Sequence, residues 1–183
     1  MGQYFIPVNE TKKEYFTAYD IGGLAKLWEW MANLDECGIL SLVLMNEWKN
    51  DKVVLVGDYD ESGLYDYAED NFKNISKTVM KIKNEQLENF IKSRYKYAFV
   101  NGDDRTFVSG SSKEISMITP LLLRKSSEGG GGDIENYESN EIAGKFAGKS
   151  VFVSKKNELN ANDYEEITKS LFGTKKLIGP KMN

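Results

Sequence analysis

Apolar positions along this chain change period several times, and each change marks a predicted element. Residues 3–9 and 14–19 are aromatic and β-branched runs flanking the polar turn Asn9-Glu-Thr-Lys-Lys13, the pattern of a β-hairpin. Gly22-Gly23 then opens a predicted helix in which Leu24, Leu27, Trp28 and Met31 recur at helical spacing and form the core face. Trp30 falls off that face and is the tryptophan expected to meet a ligand; Trp28 is assigned to the core. The run Ile39 to Glu47 is rich in Leu and Met rather than Val and Ile, which reads as a buried helix, with a strand as the alternative. Val53-Val-Leu-Val56 reads as a strand ended by Gly57, and an acidic loop leads from it into a helix over Leu64 to Phe72.

Farther on, Thr78, Met80 and Ile82 alternate with polar residues as a short strand. Asn84 to Ser93, with Leu87, Phe90 and Ile91, predicts an amphipathic helix. A second hairpin turns at Asn101-Gly-Asp-Asp104. Thr119-Pro-Leu-Leu-Leu123 is expected to be extended, because proline biases its neighbour toward the β region. The four consecutive glycines Gly129 to Gly132 predict a flexible loop over Ser126 to Asp133, or a close backbone approach. The last helix is expected to start at Asn162 as N-cap, with Glu165 three residues on, and to stop at Gly173. The basic tail after it is expected to be loose.

The second half of this pattern echoes the first. Tyr4 to Asn9 and Glu14 to Phe16 match Lys96 to Asn101 and Thr106 to Val108; Trp48 to Val56 matches Phe146 to Val153; Tyr65 to Phe72 matches Tyr164 to Phe172. Three elements in one order predict a duplicated unit. The expectation is therefore an α+β protein of two similar halves, each with an antiparallel hairpin and a strand-helix unit. Residues 1–75 form the first half, 76–94 a connecting strand and helix, 95–173 the second half, and 174–183 the tail.

Composition narrows the chemistry. The 183 residues contain no histidine, which excludes Ser-His-Asp, Cys-His and HExxH sites, and a single cysteine, which excludes an internal disulfide and a cysteine zinc cage. No apolar run approaches the ~18 residues of a membrane span. The start lacks a secretory pattern, and Ile6 stands where a myristoylation motif wants Ser or Thr, so a reducing cytoplasm is the expected setting. A net charge of −4 argues against a duplex DNA-binding surface and for contact with basic protein surfaces.

Asp58, Asp60, Ser62 and Glu69, with Gly63 at the turn, have the spacing of a calcium loop, and magnesium is the alternative cation. Against the cation stand the strand-like segment before the loop and Tyr65 at an aliphatic position. The competing reading is a solvated loop in which Asp60 or Ser62 caps the next helix. Gly129, Gly130, Gly131, Gly132 and Asp133 are a candidate main-chain cradle for a ligand, weighed against a mobile linker. Ala143 to Ser150 fits a relaxed phosphate-loop pattern, but it leads into a strand rather than a helix and so reads as a β-turn carrying Lys149. Asp20, Glu29, Asp58 and Asp133 are candidates for carboxylate catalysis; no pair is selected by spacing, so catalytic residues stay unassigned.

The opening Met-Gly-Gln-Tyr-Phe, Val56-Gly-Asp-Tyr59, Thr119-Pro-Leu-Leu-Leu123, Gly130-Gly-Gly-Asp133 and the Ala143-Gly-Lys-Phe-Ala-Gly-Lys149 run together resemble a family of small bacterial and phage proteins that begin MGQYY or MGQYF. The resemblance spans nearly the whole chain and implies no particular activity. The Lys-, Asn- and Glu-rich composition is similar to that of low-GC Gram-positive hosts and their phages, whose small acidic proteins include type II-A anti-CRISPR inhibitors from streptococcal mobile elements. The function this resemblance implies is that of an interaction protein that inhibits or modulates a host defence nuclease, acting on a Cas nuclease or its guide-RNA complex without a cofactor. The alternative is a carboxylate- or metal-dependent hydrolase or nuclease, with Asp58, Asp60 and Glu69 as first suspects.

Overall fold

The computed structural model describes residues 3–110, 118–124 and 142–172. It is a mixed α+β fold built on one eight-stranded sheet. The strands are β1 (Phe5–Asn9), β2 (Glu14–Tyr15), β3 (Asp51–Gly57), β4 (Lys73–Asn74), β5 (Tyr97–Asn101), β6 (Thr106–Ser109), β7 (Lys149–Lys155) and β8 (Glu165–Glu166), in the spatial order β4-β2-β1-β3-β7-β5-β6-β8. Among the described residues the helices are α1 (Leu27–Ala32), α2 (Leu34–Met45), α3 (Leu64–Asn71), α4 (Ser76–Ser93), α5 (Ile118–Leu122) and α6 (Thr168–Phe172).

Both hairpins form at the predicted turns, but the second strand of the first ends at Tyr15 instead of running to residue 19, and Tyr19–Ile21 forms a 3-10 turn. Each turns on a fully buried asparagine: the Asn9 side-chain carbonyl accepts from the Thr11 and Lys12 amides, and that of Asn101 accepts from the Asp104 amide. Such side-chain mimicry of a turn is the reason asparagine is favoured there. Each loop then passes through one left-handed residue, Lys13 (φ 56°) or Arg105 (φ 53°). The outer strands stay short. β2 stops opposite Val8, one residue before Pro7, which has no N–H to give a ladder.

The two halves of the chain meet along β3 and β7, which pair antiparallel over Asp51–Val53 and Lys149–Val151. Strand alternation then separates two layers. Phe5, Val53, Leu55, Phe99, Val151 and Val153 face the main core with α2, α4 and α5, while Ile6, Val8, Val54 and Val56 meet Leu64, Tyr65 and Ala68 of α3 on the opposite face. Ala98, Val100 and Phe152 are covered on that second face by Leu159 and Tyr164. α2 is the central helix. It begins at Leu34 rather than at the predicted Ile39; its residues from Glu36 to Leu44 are all buried, Glu36 and Ser41 among them, and it packs on α4 and β7.

Four further local expectations need correction. Thr78, Met80 and Ile82 lie within the single helix α4, not in a strand, because buried Val79, Ile82, Leu87 and Phe90 give the segment one helical face and Thr78 is exposed. The 119–123 segment is not extended: Pro120 falls in the first turn of α5, where a missing N–H costs nothing, and only Leu123 bridges to Leu55. The last helix starts at Thr168 rather than after Asn162, since Glu165 and Glu166 are taken up as β8 beside β6. Tyr65–Phe72 is consequently not the structural counterpart of Tyr164–Phe172. The former is helix α3 preceding β4, and the latter spans β8 and α6.

Candidate functional site

The helix after Gly23 begins only at Leu27, and this displaced start decides which tryptophan is buried. The 22–26 segment is held in a non-helical path: Gly23 N–H donates to Ala18 O, the Leu24 amide to Glu36 Oε1 at 2.7 Å, and Phe5 N–H to Ala25 O at 2.7 Å. Leu27, Trp30 and Met31 then form the buried face at i, i+3 and i+4, whereas Leu24 is exposed and Trp28 only half-buried. Trp30 is therefore not available to a ligand: it is fully buried, its Nε1–H donating to Phe5 O at 3.2 Å and its ring lying edge-on to Phe16. Trp48 is likewise buried, with its Nε1–H on Glu14 Oε2 at 3.0 Å.

The acidic loop follows β3 directly. Asp58 continues the β1–β3 ladder, its N–H donating to Tyr4 O at 2.9 Å and its Oδ1 accepting from the Tyr4 amide at 3.0 Å. Asp60 closes the turn, its Oδ1 accepting from the Ser62 amide at 2.9 Å and from the Ser62 hydroxyl, while Oδ2 lies 3.4 Å from Arg124 Nε. Gly63, at φ 66°, is the N-cap of α3, and the Leu64 amide points at Ser62 Oγ, 3.3 Å away. Glu69 sits a turn and a half into α3, exposed, its pKa raised by partial desolvation and by neighbouring Asp66, Asp70 and Asp58. The loop oxygens are thus turned toward backbone N–H groups and Arg124. Among the described residues no three His, Cys, Asp or Glu side chains gather as a metal ion requires. Removing the Asp60 carboxylate by Asp60→Ala should lower stability by about 1 kcal/mol, as for loss of a side-chain acceptor that holds a turn. Thermal unfolding of the two proteins with and without millimolar calcium checks this. A calcium-dependent rise in melting temperature in the parent protein alone would restore the cation loop.

The other carboxylate candidates are also engaged with the chain. Asp20 Oδ2 accepts from Asn74 Nδ2 at 3.2 Å and Ser76 Oγ at 3.0 Å, hydrogen bonds that hold its pKa below the usual value. Glu29 accepts from the Lys26 amide at 2.8 Å. Gly129, Gly130, Gly131, Gly132 and Asp133 lie outside the described residues. The amides of Gly144, Phe146, Ala147, Gly148 and Lys149 all donate to backbone carbonyls, so this turn has no free N–H cradle for a phosphate. A shallow groove of about 420 Å³ between the start of α2 and α4 is lined by side chains of both charges, including Asp35, Lys83, Glu88 and Lys92, over Leu87 and Ile91.

What the structure assembles instead is an acidic face with exposed tyrosines. From Asp58 to Phe72 the chain carries Asp58, Asp60, Glu61, Asp66, Glu69 and Asp70 and neither lysine nor arginine. α3 anchors this stretch on the sheet through Leu64, Tyr65, Ala68 and Phe72 and turns Asp66, Tyr67, Glu69 and Asp70 outward. Beside it lie Tyr4 and Tyr19, their ring centroids 6.2 Å apart. Burial pushes the Tyr65 hydroxyl well up, with Glu69, Asp58, Tyr19 and Asp66 adding to the rise, so this tyrosine stays neutral within a field of acids. Tyr67 was legible in the sequence, because it lies off the 64–65–68–72 face. The meeting of Tyr4 with Tyr19 has no local signal. No family model matches the chain, and no curated protein or solved structure is significantly similar to it.

Proposed function

We propose that the protein acts by docking this acidic, tyrosine-bearing face onto a basic surface of a nucleic-acid-binding protein. The observation that carries the reading is the 58–72 stretch, which contains no lysine or arginine and whose Asp66, Glu69 and Asp70 are held outward on a helix packed on its other side, while Asp60 is already paired with Arg124. Such a surface offers to a positively charged cleft what a nucleic-acid backbone offers, and charge complementarity of this kind speeds encounter and excludes wrong partners. The phage-like resemblance makes a Cas nuclease, free or loaded with guide RNA, the partner to test first, with inhibition as the outcome. Binding of a type II-A Cas nuclease and loss of target cleavage are the expected results. The variant Asp66→Lys/Glu69→Lys/Asp70→Lys should weaken association by on the order of tenfold or more at low salt. No association of either nuclease form at micromolar protein would remove this partner.

We further propose that the two halves are copies of one unit. The strand pairings support it. β1 pairs antiparallel with β2 and β3, and β2 parallel with β4; β5 pairs antiparallel with β6 and β7, and β6 parallel with β8. Small details recur at matching positions. The Thr17 amide donates to Ser76 Oγ and the Ser109 amide to Thr168 Oγ1; Ile75 N–H bonds Tyr15 O and Ile167 N–H bonds Phe107 O. The helix on the second sheet face is the part that differs. α3 fills that place in the first half, and a 3-10 turn at Lys156–Glu158 with the loop after it fills it in the second. On this reading the acidic face is an addition to one copy only.

A further inference from the structure

We infer that Tyr4, Tyr19 and Leu24 form a seat for arginine side chains of the partner protein, an inference that rests on the docking role proposed above. The fold does not require these side chains to be outside. Tyr4 contributes its backbone to the β1–β3 ladder through Asp58, and Tyr19 contributes its carbonyl to the turn that ends at Gly22, while their rings remain 41% and 58% exposed and Leu24 remains 56% exposed. The rings are tilted by 57° rather than stacked, so they do not cover one another. The pairing of Phe5 N–H with Ala25 O brings the 24–25 segment alongside the start of β1.

The patch is also rigidly mounted. Asp20, next to Tyr19, is tied to Asn74 and Ser76; the Leu24 amide is tied to buried Glu36; and Lys83 Nζ donates to Ile21 O at 2.8 Å. A pre-formed aromatic surface loses little freedom on binding, which is what makes tyrosines effective anchors. Asp58 Oδ1 lies 3.0 Å from the Tyr4 amide, which places a carboxylate at the edge of the patch, and the Tyr19 hydroxyl pKa is raised by partial desolvation first and then by the Tyr4 ring, Glu29 and Asp58. Aromatic faces edged by carboxylates fit a guanidinium specifically. It is planar, lies flat on a ring, and turns its N–H groups to a neighbouring carboxylate, whereas a lysine ammonium is a strongly hydrated point charge. The same acids repel a nucleic-acid backbone.

The test uses fluorescence anisotropy of dye-labelled nona-arginine and nona-lysine peptides and of a labelled oligouridine, with the parent protein and the variants Tyr19→Ala and Tyr95→Ala. Tyr95 is 49% exposed, lies under Lys96 Nζ and is not part of the acidic face, so it serves as the control tyrosine. The arginine peptide should bind several-fold tighter than the lysine peptide, and Tyr19→Ala should weaken it by about three- to tenfold, erasing that preference, while Tyr95→Ala leaves it intact. Equal binding of the two peptides, equal effects of the two substitutions, preference for the RNA, or a dimer that Tyr19→Ala disperses would each overturn the inference. If the lysine triple variant of α3 loses the nuclease while Tyr19→Ala retains it, the docking role stands and this seat falls.

Discussion

Trp30→Ala should lower stability by about 3–5 kcal/mol, the range for truncating a fully buried tryptophan that leaves a cavity. The side chain closes the core between α1 and β1. Its ring lies 6.0 Å from Phe16 at 62°, an edge-on arrangement, and its indole N–H satisfies the Phe5 carbonyl inside the core. The residue's own carbonyl accepts from Thr119 Oγ1 at 3.0 Å, so disturbance there reaches α5 as well. Trp28→Ala, at a half-buried position, should lose on the order of half as much. Since a domain of this size has only about 5–15 kcal/mol to lose, the Trp30 variant is expected to be marginally folded. Urea unfolding followed by far-ultraviolet circular dichroism ranks the two without relying on tryptophan fluorescence. A larger loss for Trp28→Ala would mean that the helix is rotated from the orientation described.

The second large effect is a stability that falls as pH rises toward 8, and its source is Glu36. This carboxyl is 1% exposed on α2; Oε1 accepts from the Leu24 amide and from Asn33 Nδ2 at 3.1 Å, while Oε2 has no hydrogen-bond partner among the described residues. The approach is so close that a Cβ on Gly23 would sit 2.2 Å from Oε1, which explains the glycine. Burial pushes the Glu36 pKa from 4.5 up to about 7; Glu29 adds to the rise, and the Leu24 and Asn33 hydrogen bonds and Lys83 oppose it. Between these two values the unfolded chain has released the proton and the folded one has kept it, so stability is lost as pH climbs through the window and then levels off. The loss amounts to about 3 kcal/mol at pH 8 relative to pH 4.5 or below, at roughly 1.4 kcal/mol for each tenfold difference in proton affinity between the folded and unfolded chain. Glu36→Gln keeps the acceptor and removes the charge. It should match the parent near pH 5 and exceed it at pH 8, in denaturant melts across that range. Parallel curves for the two proteins would show that Glu36 ionises as an ordinary carboxylate. The Leu24 loop carries part of the proposed arginine seat, so the same measurement bears on how firmly that patch is held.

Elements whose signal is local could be read from the chain alone. Alternation and turn chemistry specify the two hairpins, because a buried asparagine followed by a left-handed residue suits one turn geometry in each. The strand core Val53 to Val56 was legible by itself, whereas for the apolar run from Ile39 the sequence left helix and strand both open, and the helix begins at Leu34, five residues earlier than read. The acidic character of residues 58–72 is likewise written in the chain, as is the outward position of Tyr67 on α3. Where several weak signals compete, packing between distant segments settled the outcome. A start three residues later than Gly23 suggests gives α1 a different phase and exchanges the roles of Trp28 and Trp30, since the 22–26 segment is tied to β1, Ala18 and Glu36 before any helix can begin. Glu165 and Glu166 are drawn from a helix start into a strand by pairing with β6. The candidate surface divides the same way. Its charge follows from composition, but Tyr4 and Tyr19 become neighbours only because β1 and the turn after β2 are folded against the same end of the sheet, a contact that no local pattern encodes.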